Sequence, residues 1–249
     1  MAKAYMLTGM AGGIIGSITG IIGLIWCLIS ITSAIDIYNY IQMLFVNSQM
    51  VGILALVFFP YPSSIYLFTT FSFILATLLL VSLILVGLGF YGTYRAGAGA
   101  MGVVGLIFGI IGGVAGPLFI FLGNIMTGIE LVPLFVAPIL DPWAGLLLFP
   151  LSVPNYGFIW LGMMVLTITF ILLGSSSIAV REMTNSPSAT LAAGILSIIG
   201  SCFLILYLLV QNSVPILVII GGILTLVGFI LIFVAFILWS VVFFTSRDI

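Results

Sequence analysis

Apolar residues occur in long unbroken runs, and most polar residues lie in the segments between them. A hydrocarbon core of about 30 Å is crossed by a helix of about 20 apolar residues, and six runs reach that length. No run alternates polar and apolar positions with a period of two, so helices are favoured over barrel strands. The six predicted spans cover about residues 7–33, 64–94, 100–124, 157–180, 190–211 and 215–244.

Composition excludes a water-soluble fold. Of the 249 residues, 64% are hydrophobic and only 4% are charged, whereas soluble domains carry about 25% charged residues. So few charges cannot form a surface of this size in water. The sequence therefore predicts an all-α polytopic membrane protein, with one transmembrane domain over residues 1–249 and six helices in a bundle of three hairpins.

The charges of the connecting segments separate by sign. With six spans, Lys3, Arg95, Arg181 and Arg247 fall on one face of the membrane. Asp36, Glu130 and Asp141 fall on the opposite face, in a set that holds no cation. Because cytoplasmic loops collect Lys and Arg, we expect a cell-membrane protein with both termini in the cytoplasm.

A glycine-rich motif repeats along the chain. The segment GGIIGSITGIIG at residues 12–23 aligns with MGVVGLIFGIIG at residues 101–112, an offset of 89, and a weaker third copy ends at Gly200. Self-similarity at a fixed spacing indicates duplicated supersecondary units. We expect three hairpin repeats, at about residues 1–97, 98–186 and 187–249.

Small residues recur at helical spacing in two of the predicted spans. Helices in lipid associate by close packing, which small side chains permit. The main interpretation is a glycine face that packs the first, third and fifth spans together in the centre, with the bulkier even spans outside. Docking of a partner or a second copy is the alternative, and a pore lined by glycine backbone is a third. The predicted interface residues are Gly12, Gly16, Gly20, Gly105, Gly109 and Gly113.

The third predicted span contains a Gly-Pro step. Proline removes one helical hydrogen bond and clashes with the preceding turn. We therefore expect a kink at Gly116 and Pro117.

Two long loops are predicted on the outer face, at about residues 34–63 and 125–156. They contain apolar stretches at 50–59, 131–140 and 144–151 that are too short to span a bilayer. Such stretches are typical of re-entrant or interfacial segments, or of surfaces that another subunit covers.

Residue types limit the possible chemistry. The chain has no histidine, so the usual ligand of haem, copper and catalytic zinc is missing, as is the base of most nucleophilic triads. Four cations do not form a nucleic-acid footprint. We interpret Cys27 and Cys202 as small buried apolar residues. Glu130 and Asp141 remain as the single acid–base pair for an enzyme that acts on lipid.

The leading hypothesis is a non-catalytic multi-pass subunit of a larger membrane complex, respiratory or similar, that packs against and stabilises other subunits. Its partners are other integral subunits or a second copy, met through glycine faces and apolar outer loops, together with lipid. No cofactor or metal of its own is expected, but bound lipid is. The alternative hypothesis is a small channel or carrier for a neutral or weakly polar solute.

Overall fold

The computed structural model describes residues 2–58, 63–97, 99–125, 127–133, 148–154, 156–210 and 215–247. Long helices account for most of the described chain, and a pair of short strands lies between the third and fourth helices. A short 3₁₀ turn, Arg181–Met183, separates the fourth and fifth. The elements are α1 Ala2–Phe58, α2 Ser63–Arg95, α3 Ala100–Ile125, β1 Thr127–Pro133, β2 Leu148–Pro154, α4 Tyr156–Val180, α5 Pro187–Val210 and α6 Pro215–Thr245.

In the described part of the chain, six stretches of helix are long and apolar enough to cross a bilayer, which confirms the predicted helical bundle. The shortest has 19 residues and the longest 31. The molecule is therefore a multi-pass membrane protein. The stretches are Ala2–Thr32, Leu67–Arg95, Ala100–Ile125, Gly157–Met183, Pro187–Ile205 and Ile220–Thr245.

The six helices form a closed ring in chain order. Each packs mainly on the helix before it and the helix after it, and α6 returns to pack on α1. Neighbours run antiparallel: Gly9 of α1 meets Gly89 of α2, whereas Trp26 meets Ser72. All four cations consequently lie at one end of the bundle, which we call the cationic end. The opposite end is the distal end.

Five of the six helix–helix interfaces contain a pair of glycines in close contact. In each pair, a Cβ added to one glycine would lie 2.5–2.9 Å from a backbone atom of the other. No real Cβ approaches that closely, so only glycine allows these backbones to meet. The pairs are Gly9 with Gly89, Gly87 with Gly109, Gly116 with Gly162, Gly174 with Gly194, and Gly200 with Gly228.

The sixth interface, between α6 and α1, is built differently. Phenylalanine rings of α6 occupy the places where α1 has no side chain. Phe236 fills the notch at Gly16, and Phe229 fills the notch at Gly23. Ring closure therefore depends on the match of large to small residues.

The expected arrangement, with odd helices in the centre and even helices outside, is wrong. In the most apolar stretch of each helix, 50% of residues are buried in α2 and α4 and 44% in α6, against 39% in α1, α3 and α5. The even helices also supply most of the large core side chains, among them Leu83, Phe170 and Phe236. If the glycines of α1, α3 and α5 all faced the axis, too few side chains would remain to fill it. The glycines instead lie at the sides of the helices, where neighbouring backbones approach.

Two interfaces share one packing register. Gly16 of α1 lies on the ring of Phe236, and Gly105 of α3 lies on the ring of Phe90. A Cβ on the glycine three residues earlier in each helix would meet the carbonyl oxygen of the same phenylalanine, at 2.8 and 2.7 Å. The α6–α1 and α2–α3 contacts thus correspond, and Gly16 and Gly105 are separated by the 89 residues of the sequence repeat.

Helix α3 continues through the Gly-Pro step at which we expect a kink. It runs unbroken from Ala100 to Ile125, and both Gly116 and Pro117 are buried. A Cβ on Gly116 would lie 2.6 Å from Cγ of Leu166. The step therefore lies at the contact with α4.

The segment placed in the first outer loop, 34–63, is mostly helical, because α1 continues to Phe58. Facing residues of α1 and α2 have numbers that add up to about 98, as for Gly9 with Gly89 and Trp26 with Ser72. By this register, Ser63 lies level with residue 35. The last 23 residues of α1 thus extend past the start of α2.

We call residues 36–58, the part of α1 past this level, the α1 extension. In the second outer loop, 125–156, β1 and β2 pair antiparallel from Thr127 opposite Pro154 to Pro133 opposite Leu148.

The glycine contacts predict a graded loss of stability on α3. At Gly109 an alanine Cβ would lie 2.7 Å from the Cα of Gly87 and 2.8 Å from a carbonyl oxygen, neither of which can move alone. At Gly113 the nearest atom, 3.1 Å away, belongs to the side chain of Leu83. Gly109→Ala should cost about 1–3 kcal/mol of unfolding free energy and Gly113→Ala clearly less.

The measurement is reversible unfolding of the two purified variants in mixed micelles. Equal losses would contradict the view that backbone contact at Gly109 limits the interface.

Candidate functional site

The structure places all six predicted interface glycines between helices of this chain. Gly12 packs on α2, Gly16 and Gly20 pack on α6, and the three glycines of α3 pack on α2. These glycine faces therefore pack against other helices of the same chain. The exposed faces are instead rich in isoleucine and leucine: Ile18 is 50% exposed, Ile111 55% and Ile168 52%.

The axis of the ring is filled by apolar side chains. A cavity of about 10 Å³ remains near the middle, about the room that one water molecule needs. Thr19 is the single hydroxyl in its lining, and its Oγ1 donates to the carbonyl oxygen of Ile15 at 2.8 Å. The cavity is lined chiefly by Leu79, Met163, Leu166, Phe170, Leu204, Phe229, Ile232 and Phe236.

Two tryptophans form hydrogen bonds inside the bundle. Trp26, 2% exposed, donates its indole N–H to Oγ of Ser72 at 2.7 Å. Trp239, 1% exposed, donates to Oγ of Ser177 at 3.2 Å. Each bond joins two helices, and each satisfies the only polar group of a ring that is otherwise surrounded by apolar atoms.

A polar cluster closes the cationic end between α4, α5 and α6. Oγ of Ser177 donates to the carbonyl oxygen of Thr190 at 2.8 Å, and the hydroxyls of Thr190 and Thr184 are 2.8 Å apart. Beyond them, the amide Nδ2 of Asn185 donates to the carbonyl oxygen of Thr245 at 2.9 Å. The turn after α4 is thereby fixed to the end of α6.

Aromatic rings accompany two of the arginines at this end. The guanidinium carbon of Arg95 lies 5.7 Å from the ring centre of Tyr91, and that of Arg247 lies 4.2 Å from the ring centre of Phe244. Arg181 differs, since it lies 3.7 Å from the carboxylate of Glu182. These pairs were not predicted from the sequence, although an aromatic residue three or four positions before a terminal arginine is a recognisable signal.

The structure locates both cysteines and one of the two acidic residues singled out in the sequence. Cys27 is buried, and its thiol donates to the carbonyl oxygen of Gly222 at 3.2 Å. The expectation for Cys202 is wrong, because it is exposed on α5. Glu130 lies in β1, and Asp141 lies outside the described residues. Among the described residues, no three His, Cys, Asp or Glu side chains meet in a group that could hold a metal.

Comparisons with protein families, with characterised proteins and with solved structures found no match. The function is therefore argued from the geometry of this chain.

The Trp26–Ser72 bond predicts strong coupling in a double-mutant cycle. Ser72→Ala leaves a buried indole N–H without an acceptor, which costs about 1–3 kcal/mol, whereas removal of both partners is much cheaper. Trp26→Phe with Ser72→Ala should therefore be less destabilised than the sum of the single variants. Unfolding in micelles measures all three, and strict additivity would show that the bond contributes nothing.

Proposed function

We propose that this chain is a non-catalytic, multi-pass subunit of a larger complex in the cell membrane, with both termini in the cytoplasm. Its ring of helices is a rigid anchor, and its contacts with other subunits lie at the distal end. The orientation is supported by Lys3, Arg95, Arg181 and Arg247, which share one end of the bundle, as cytoplasmic segments do.

The observation that carries the proposal is the α1 extension. Of its residues 36–58, only Asp36 is charged, and more than two thirds are apolar. Its backbone is helical and hydrogen-bonded, so burial of its side chains costs no unpaired peptide groups. An apolar helix beyond the end of the helix beside it requires cover, which a second membrane subunit provides.

The strand pair β1–β2 supports the same location for the contact. Two strands alone are marginally stable in water, and each has an outer edge that no third strand of the described chain covers. Unpaired edges readily accept a further strand. Both the α1 extension and the strand pair lie at the distal end.

The alternative hypothesis of a channel or carrier has no such support. A solute path requires polar groups or open volume along the axis, and the described axis holds a cavity of about 10 Å³ among apolar side chains. The hydroxyls of Thr167 and Thr169 are bonded to backbone carbonyl oxygens one turn earlier, at 2.9 and 2.8 Å.

Site-specific photo-crosslinking in intact membranes tests the proposal. A crosslinking residue at position 44, 51 or 55 in the α1 extension should give a discrete adduct with one membrane protein. The matched control replaces Ile168, which is 52% exposed on the lipid-facing surface of α4, and should give lipid adducts. Lipid adducts alone from all positions, with a monomer after mild extraction, would refute the proposal.

A further inference from the structure

The outer face of α2 carries a single file of apolar residues that ends in an arginine. Leu67, Ile74 and Val81 are 50%, 41% and 37% exposed, and the same seven-residue step leads through Leu88 to Arg95. Residues seven apart in a helix lie almost above one another. The file therefore runs the length of the membrane-spanning helix and ends in a guanidinium group at the cationic end.

Arg95 is held in position by aromatic contacts and not by an ion pair. Its side chain is exposed, and among the described residues no carboxylate lies within 4.0 Å of its nitrogens. The ring of Tyr91 lies beneath it at 5.7 Å. Tyr91 is itself supported by Tyr5, edge to face at 5.0 Å between ring centres, and by Tyr94 at 5.8 Å.

We propose that Arg95 and Tyr91, flanked by Tyr5 and Tyr94, bind the head group of an anionic phospholipid whose acyl chains lie along the outer face of α2. A guanidinium donates two parallel hydrogen bonds to a phosphate. Tyrosine hydroxyls at head-group depth supply further donors. The apolar file below Arg95 gives the acyl chains a surface, which a soluble phosphate would not use.

Charge complementarity favours an anionic lipid over a zwitterionic one. By sequence, the cationic end holds four cations against two carboxylates, those of Glu182 and Asp248. The cytoplasmic leaflet carries the anionic lipids that such ends attract. The proposal is independent of the partner contact at the distal end and stands if that contact is disproved.

Native mass spectrometry of the full chain in detergent tests the proposal. The probes are phosphatidylglycerol and phosphatidylcholine with identical acyl chains. The wild type should retain phosphatidylglycerol preferentially, and Arg95→Gln should lower its apparent affinity about five-fold, as expected for one basic residue at a lipid surface. Tyr91→Leu, which keeps the charge but removes the ring, should lower it about two-fold.

Arg181→Gln is the matched control, because it removes one positive charge at the same end from a residue already paired with Glu182. It should leave binding unchanged. An equal loss in Arg181→Gln, or no preference for phosphatidylglycerol in the wild type, would overturn the proposal, as would displacement of the lipid by millimolar glycerol 3-phosphate. The unfolding temperature without lipid checks that each variant is folded, and Tyr91→Leu decides the question if Arg95→Gln does not fold.

Discussion

Close contact between helix backbones is the constraint on which this structure depends. Inside a bilayer, apolar side chains gain nothing by leaving lipid for protein, so helices are held together by van der Waals packing and a few hydrogen bonds. Packing is strongest where side chains do not separate the backbones. The chain meets this requirement with a glycine pair at five interfaces, Gly9 with Gly89 being the closest. At the sixth interface it uses phenylalanine in glycine notches.

The location of the glycines determines where the large residues can lie. Odd helices turn glycines toward both even neighbours, as α3 does with Gly109 toward α2 and Gly116 toward α4. Large rings of the even helices pack beside these glycines and on one another: Phe90 and Phe236 both meet Trp239 edge to face. The same division leaves a cavity of about 10 Å³ among the described apolar side chains near the middle of the ring. The ring closes because small residues at its flanks allow bulky ones at its centre.

The number of membrane-spanning helices could be predicted from the sequence, because the length of an apolar run follows from the thickness of the bilayer. That Gly12, Gly16, Gly105 and the other repeated glycines lie at contacts was also accessible, since few other roles suit them in lipid. Which helix each glycine faces was not. A glycine face carries no side chain that would show which helix packs on it. The neighbouring helix is instead determined by large residues such as Phe236 or Leu83, which are far away in sequence. The pairing of Arg95 with Tyr91 is different, because the four-residue spacing of an aromatic residue and a terminal arginine is visible in the sequence.

The closed ring also limits where this protein can act. A bundle that uses its glycine faces internally and fills its axis offers other molecules only its lipid-facing surface and its two ends. The lipid-facing surface is mostly apolar, with exposed isoleucines on α1, α3 and α6 among others, and apolar surface alone discriminates poorly between partners. The ends are different from each other: one holds arginines over aromatic rings, and the other holds an apolar helical extension and a two-stranded sheet. This difference is why we propose specific recognition at the ends, with the membrane-spanning ring as the scaffold that connects them.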